Sequence, residues 1–106
     1  MLRADGVLHY VSTITYGMAG PMLVRGQNHV PISAQFRRSC AYTALLGEIL
    51  SALDYQGTAC FNYKVVDGKP LIFEINPRYG ASLSVDVTGY VDAYFGALNP
   101  HPRPLA

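Results

Sequence analysis

TACFNYKVVDGKPLIFEIN, residues Thr58 to Asn76, holds two apolar runs on either side of Asp67-Gly68. An Asp-Gly pair suits the two positive-φ positions of a tight hairpin turn, so the runs are predicted to be antiparallel arms of one hairpin. Successive side chains of a strand face opposite ways. The first arm therefore divides into Ala59, Phe61, Tyr63 and Val65 against Cys60, Asn62, Lys64 and Val66. The second divides into Leu71, Phe73 and Ile75 against Ile72, Glu74 and Asn76.

Register decides whether like faces meet. A plain two-residue turn sets Phe61 opposite Glu74 and Asn62 opposite Phe73, mixing apolar with polar on both sides. A three-residue loop, or a two-residue turn followed by a bulge, sets Phe61 opposite Ile75, Tyr63 opposite Phe73 and Asn62 opposite Glu74. Only this second register gives one dry face and one polar face, and burial of the dry face selects it. Asn62, Lys64, Glu74 and Asn76 are then predicted to share a surface, with Arg78 just beyond its end.

A carboxylate with two amide oxygens is a hard-oxygen set suited to Mg²⁺ or Mn²⁺, and Mg²⁺ commonly takes only one or two protein carboxylates beside water and phosphate. Lys64 and Arg78 bring positive charge suited to phosphate oxygens. The alternative is a solvated antiparallel face whose Glu74 and Lys64 form a surface ion pair worth under ~1 kcal/mol. Spacing by itself leaves both readings open.

Elsewhere the pattern is mixed. Val7 to Tyr16, rich in β-branched and aromatic residues, is predicted as one long strand, and Met22 to Gly26 as a short one paired with it across a loop at Gly17 to Pro21. From Ser33, Phe36, Tyr42, Leu45, Leu46, Ile49, Leu50 and Leu53 recur at three- and four-residue steps. That spacing predicts an amphipathic helix with Ser39 as its cap, Glu48 on its polar side and DYQG as its stop. Arg37 and Arg38 read as a solvated helix entry. After Ser82, one or two short helices split near Gly89 are predicted, with Val91, Ala93, Tyr94 and Leu98 facing inward and an extended proline-rich tail from Asn99. The fold class is therefore α+β: an antiparallel sheet packed against helices.

The chain's 106 residues, half of them hydrophobic and 14% charged, suit a single domain spanning 1–106. A net charge of +1 with no basic run gives no footprint for nucleic acid or an anionic membrane. No stretch approaches the ~20 apolar residues of a membrane span, and Asp5-Gly6 interrupts any signal-like start, so the expected location is cytoplasmic. Cys40 and Cys60, placed on helix and strand, read as reduced, buried thiols. His9, His29 and His101 have no helical i,i+4 partner and read as surface residues. The strand-like run immediately after Met1, with nothing before it to pair with, suggests a piece of a longer protein.

GTACFNYKVVDGKPLIFEINPRYGAS, Gly57 to Ser82, resembles the C-terminal motif region of ATP-grasp enzymes of the carbamoyl phosphate synthase and biotin carboxylase type. The resemblance rests on E-I-N-P-R preceded by the D-G hairpin and followed by G-A-S, and covers the second half of an ATP-grasp domain. It implies ATP-dependent activation of a small carboxylate as an acyl phosphate, followed by attack of an amine or thiol. By the resemblance, Glu74 and Asn76 are metal ligands toward ATP-bound Mg²⁺ or Mn²⁺, and Arg78 contacts phosphate or the reacting carboxylate. Lys64 joins Arg78 on the nucleotide. Twelve residues before Glu74 the family carries a second carboxylate, where this chain has Asn62. An amide offers oxygen without charge, which weakens metal affinity.

Nothing in residues 1 to 56 resembles the family's upstream subdomain, which supplies the phosphate-binding lysine and the lid. The chain is thus expected to be inactive alone. Its partners are a nucleotide and a carboxylate, with the missing half or a homodimer completing it. The rival is a catalytically inert remnant that self-associates as a homodimer joined through its unpaired sheet edge, with exchange of the N-terminal strand as one route. An apolar-ligand or peptide-binding module would leave Glu74, Asn76 and Arg78 unexplained.

Overall fold

Two Asp-Gly pairs turn the chain back on itself with nearly identical backbones. Asp5 and Gly6 have φ of 52° and 74°, and Asp67 and Gly68 have 51° and 74°. Both central residues of a type I′ turn need φ above zero, which Gly tolerates at no cost and Asp better than most residues. In the computed structural model, which describes residues 1–20, 23–26 and 28–98, the first pair joins β1 (Leu2–Ala4) to β2 (Val7–Tyr10). The second joins β6 (Cys60–Val66) to β7 (Lys69–Asn76).

Among the described residues the architecture is α+β, with antiparallel strands distributed over three small sheets. In the first, β1 lies between β2 and the short β5 (Gly57–Thr58). In the second, β3 (Thr13–Gly17) pairs with β4 (Ser33–Arg37). The third is the β6–β7 ribbon. The described residues also form two α-helices, α1 (Thr43–Ala52) and α2 (Val87–Leu98), α2 following directly on a 3₁₀ helix at Ala81–Asp86.

The buried apolar residues are Leu2, Tyr10, Leu46, Leu50, Ala59 and Leu83. They come from β1, β2, α1, the β5–β6 junction and the 3₁₀ helix. A Cβ on Gly47 would lie 3.3 Å from Leu8 Cδ1, so α1 approaches β2 closely at a residue without a side chain. Arg3 is buried with this core, and its Nη1 donates to the Tyr55 carbonyl at 2.7 Å, which gives the charged group a partner.

Several elements differ from the sequence expectation. Val7 to Tyr16 is two strands interrupted at Val11-Ser12: the first pairs with β1, the second with β4. Phe36 sits in β4 opposite Ile14, not on a helix. Its spacing to the leucines of α1 was coincidental, because strand pairing with a distant segment set its conformation. Helix α1 begins at Thr43 with Tyr42 at the N-cap and no side-chain cap. Ser39 instead offers its carbonyl to Thr13 Oγ1 at 2.8 Å. Leu46 and Leu50 reach the core, whereas Leu45 and Leu53 are exposed. Cys40 precedes α1 in irregular backbone.

The partner of β3 is β4, not the expected strand at Met22 to Gly26; of that segment the described residues Leu23 to Gly26 contribute a single bridge, Gly26 to His29. Pro21, Met22 and Gln27 lie outside the described residues, as do residues 99–106 with His101 and the expected extended tail. Helix α2 runs through Gly89 unbroken, and the change of helix type falls at Asp86-Val87. Val91, Tyr94 and Leu98 are exposed, contrary to the inward placement, and Ala93 is half-buried. No described helix is long and apolar enough to cross a membrane.

Candidate functional site

The β6–β7 ribbon closes with Val66 opposite Lys69 across a two-residue turn, yet Asn62 stands opposite Glu74 and Phe61 opposite Ile75. A one-residue irregularity between Asn62 and Tyr63 reconciles the two, with Phe73 as the extra residue of β7. Without it Phe61 would face Glu74 and the greasy sides would not coincide. The turn and the bulge together deliver the register that the apolar pattern demands.

One pairing differs from expectation: Tyr63 lies opposite Ile72, not Phe73. Beyond the bulge the parity of β7 inverts. Ile72 therefore joins Phe61 and Tyr63 on the drier face, and Leu71 pairs with Lys64 on the polar one. Phe73 is left 58% exposed.

On the polar face, Asn62 Nδ2 donates to Glu74 Oε1 at 3.3 Å, and Asn76 Nδ2 donates to the same oxygen at 2.5 Å. Two asparagine side chains, one from each strand, thus converge on one carboxylate oxygen. Cys60 Sγ–H approaches Asn62 Oδ1 at 3.9 Å from the same side of β6. Asn62 and Glu74 are exposed and Asn76 is half-buried. A half-turn of each amide about its last side-chain torsion would present Oδ1 in place of Nδ2. The same three residues would then offer a carboxylate and two neutral oxygens to a cation. Among the described residues no three of His, Cys, Asp and Glu gather, and the donor set at Glu74 fits a hard cation rather than a thiol- or imidazole-bound one.

The two cationic residues are held differently. Lys64 shares its strand face with Asn62, but its Nζ donates to the Leu23 carbonyl at 2.7 Å and so ties the ribbon to the segment 23–26. Arg78 follows the tight turn in which its own backbone N–H donates to the Asn76 carbonyl at 2.8 Å. Its Nη1 donates to the Tyr79 carbonyl at 3.3 Å, and its side chain is exposed. Neither makes an ion pair with Glu74: among the described residues the ion pair is Arg38 Nε to Asp86 Oδ2, at 3.1 Å.

That pair belongs to a second polar cluster, which sequence reasoning missed. Tyr10 OH donates to the same Asp86 oxygen at 2.9 Å, and the Arg38 guanidinium lies 5.1 Å from the Tyr10 ring centre. Tyr90 packs edge-on to Tyr10 and stacks on Tyr79 at 4.3 Å. Its hydroxyl shares a hydrogen bond of 2.5 Å with Thr58 Oγ1. Tyr79 OH donates to the Leu83 carbonyl. Desolvation, with Tyr10 beside it, pushes the Tyr79 phenol up to about 12, and burial raises Tyr10 as well. The Tyr79 and Tyr10 phenols are thus held in their neutral form, and the cluster fastens α2 to the core sheet. Its members Tyr10, Arg38, Tyr79, Asp86 and Tyr90 are too scattered in sequence to show as a cluster.

No family model, curated protein or solved structure matches this chain.

Proposed function

We propose that this chain is the C-terminal half of an ATP-grasp carboxylate ligase, which activates a small carboxylate as an acyl phosphate for attack by an amine or thiol. Asn62, Glu74 and Asn76 would hold Mg²⁺ or Mn²⁺ through their side-chain oxygens, and Lys64 and Arg78 would face the phosphates of the nucleotide. The bound cation supplies charge neutralisation to the transferring phosphoryl group. The residues position and orient it, and general acid or base chemistry is not required of them. Arg78 contacts phosphate or the reacting carboxylate once its guanidinium leaves the Tyr79 carbonyl. The chain is inactive until a second subdomain covers the other side of the nucleotide. Two free cysteines suit a reducing cytoplasm.

The observation that carries this reading is the convergence of both asparagine amides on Glu74 Oε1 across the bulged ribbon. A largely exposed site with one charge binds weakly, so isothermal titration of Mg-ATP into this chain is expected to give a Kd above roughly 0.1 mM. Micromolar binding would overturn the half-site reading. Retention of Mn²⁺ binding in Glu74→Gln, followed by water-proton relaxation, would overturn the assignment of the ligands.

A second reading, an inert remnant that self-associates, is favoured by the exposed apolar side of α2.

A further inference from the structure

Helix α2 carries two apolar stripes and only one of them is covered. Gly89, Tyr90, Ala93 and Ala97 are half-buried, and the helix packs on β1, β2 and the 3₁₀ helix. On another side Val87, Val91, Tyr94, Phe95 and Leu98 are 46%, 39%, 40%, 63% and 63% exposed. At 3.6 residues per turn these five fall within an arc of ~100°, the width of a stripe that normally faces a core. Asp92, the one charged residue of α2, lies outside that arc.

We infer that this stripe is an interface between two copies of the chain, paired antiparallel through α2 about a two-fold axis. Val87, Val91, Tyr94 and Leu98 follow steps of four, three and four, the spacing of a helix–helix seam. The seam is self-complementary. With the axis between Asp92 and Ala93, Val87 meets Leu98 of the second copy and Val91 meets its Tyr94, a small residue against a larger one in every layer. Such reciprocity is what an isologous contact requires.

No charge enters the seam, so pairing leaves none desolvated. The five side chains expose together roughly 450–500 Å² of largely apolar surface, which doubled across the axis approaches the ~1,000 Å² of a specific interface before any rim is counted. The inference sharpens the self-association of the second reading and is independent of the metal site on β6–β7.

Sedimentation velocity of the full chain tests it. Dimer is expected at ~100 µM and below, as for an interface of this size. Val91→Glu is expected to weaken association at least ~30-fold, since a charge in the seam has no partner. Because Val91 is already partly exposed, its thermal unfolding as a monomer and its Mn²⁺ binding stay those of the parent. Val91→Lys and Tyr94→Glu are each expected to be monomeric alone and to form a heterodimer when mixed, since the antiparallel seam sets these positions against each other.

A wild-type chain that stays monomeric overturns the proposal. So does dimerisation that Val91→Glu leaves unchanged, which would put the interface elsewhere. If the full chain is monomeric and a chain ending at Leu98 dimerises, residues 99–106 are the cover and the proposal fails.

Discussion

The β1–β2–β5 sheet with α1 and the β6–β7 ribbon are built from similar material and put to opposite uses. The first contains very short strands, three residues in β1 and two in β5, yet with its neighbours it supplies most of the buried apolar side chains. The ribbon has the longest strands among the described residues, seven and eight residues, and neither contributes a fully buried side chain. Stability follows burial rather than strand length, because removal of apolar area from water is the dominant favourable contribution. The sheet with α1 therefore holds the fold, and the ribbon is left free to carry polar groups.

The largest test of that contrast is Leu50→Ala. Leu50 is 1% exposed, and truncation in such a site is expected to cost about 2–5 kcal/mol by denaturant unfolding. A loss below about 1 kcal/mol would show that the core sheet is not where stability resides. Gly80→Ala comes next. Gly80 is buried, and a methyl there would lie 2.9 Å from Cys60 Sγ and 3.3 Å from Leu83 Cδ1. Overpacking of this kind is expected to cost about 1–3 kcal/mol, because the junction joins the ribbon to the core.

A smaller effect is set by pH. The Tyr79 phenol is raised from its ordinary value near 10 to about 12 in the folded chain. Its contribution to stability is therefore complete below pH ~10 and is lost as pH rises through about 12, since the unfolded chain releases the proton first. Phenolate absorbance followed during alkaline titration should show late ionisation, and in Tyr79→Phe the alkaline loss of stability should shrink. Glu74→Gln is the smallest in stability, within ~0.5 kcal/mol as for an exposed residue, and the same substitution is expected to weaken Mn²⁺ binding at least ~10-fold by removing the only charge among the three proposed ligands. A destabilised Glu74→Gln with unchanged Mn²⁺ affinity would make the ribbon a structural element instead.

Much of the ribbon was legible in sequence because its constraints are local. The Asp-Gly turn and the alternation of apolar residues on both arms left one register that buries like with like, and Asn62 does face Glu74. The position of the bulge was not legible, and it moved Ile72 and Leu71 to the opposite faces from those expected. The Asp5-Gly6 hairpin carries the same turn signal, but its first arm is three residues long, too short to show an alternation. Pairing of β3 with β4 joins Gly17 to Ser33 across a long connection, and no local pattern announces it. At the candidate site, strand parity could place Asn62, Glu74, Asn76 and Lys64 on one face. It could not show that Lys64 reaches for Leu23 or that Arg78 turns toward Tyr79, since both depend on neighbours outside the ribbon.

The matching dihedrals of the two Asp-Gly turns bear on the order of folding. Each hairpin closes over two residues, so it loses little loop entropy and can form within roughly 1–10 µs of the start of collapse. The β3–β4 ladder must wait for its long connection to be drawn in. Pulsed hydrogen exchange should accordingly protect amides of 60–66 and 69–76 before those of 13–17 and 33–37. The segment that bears the candidate ligands would then acquire its shape among the earliest parts of the chain.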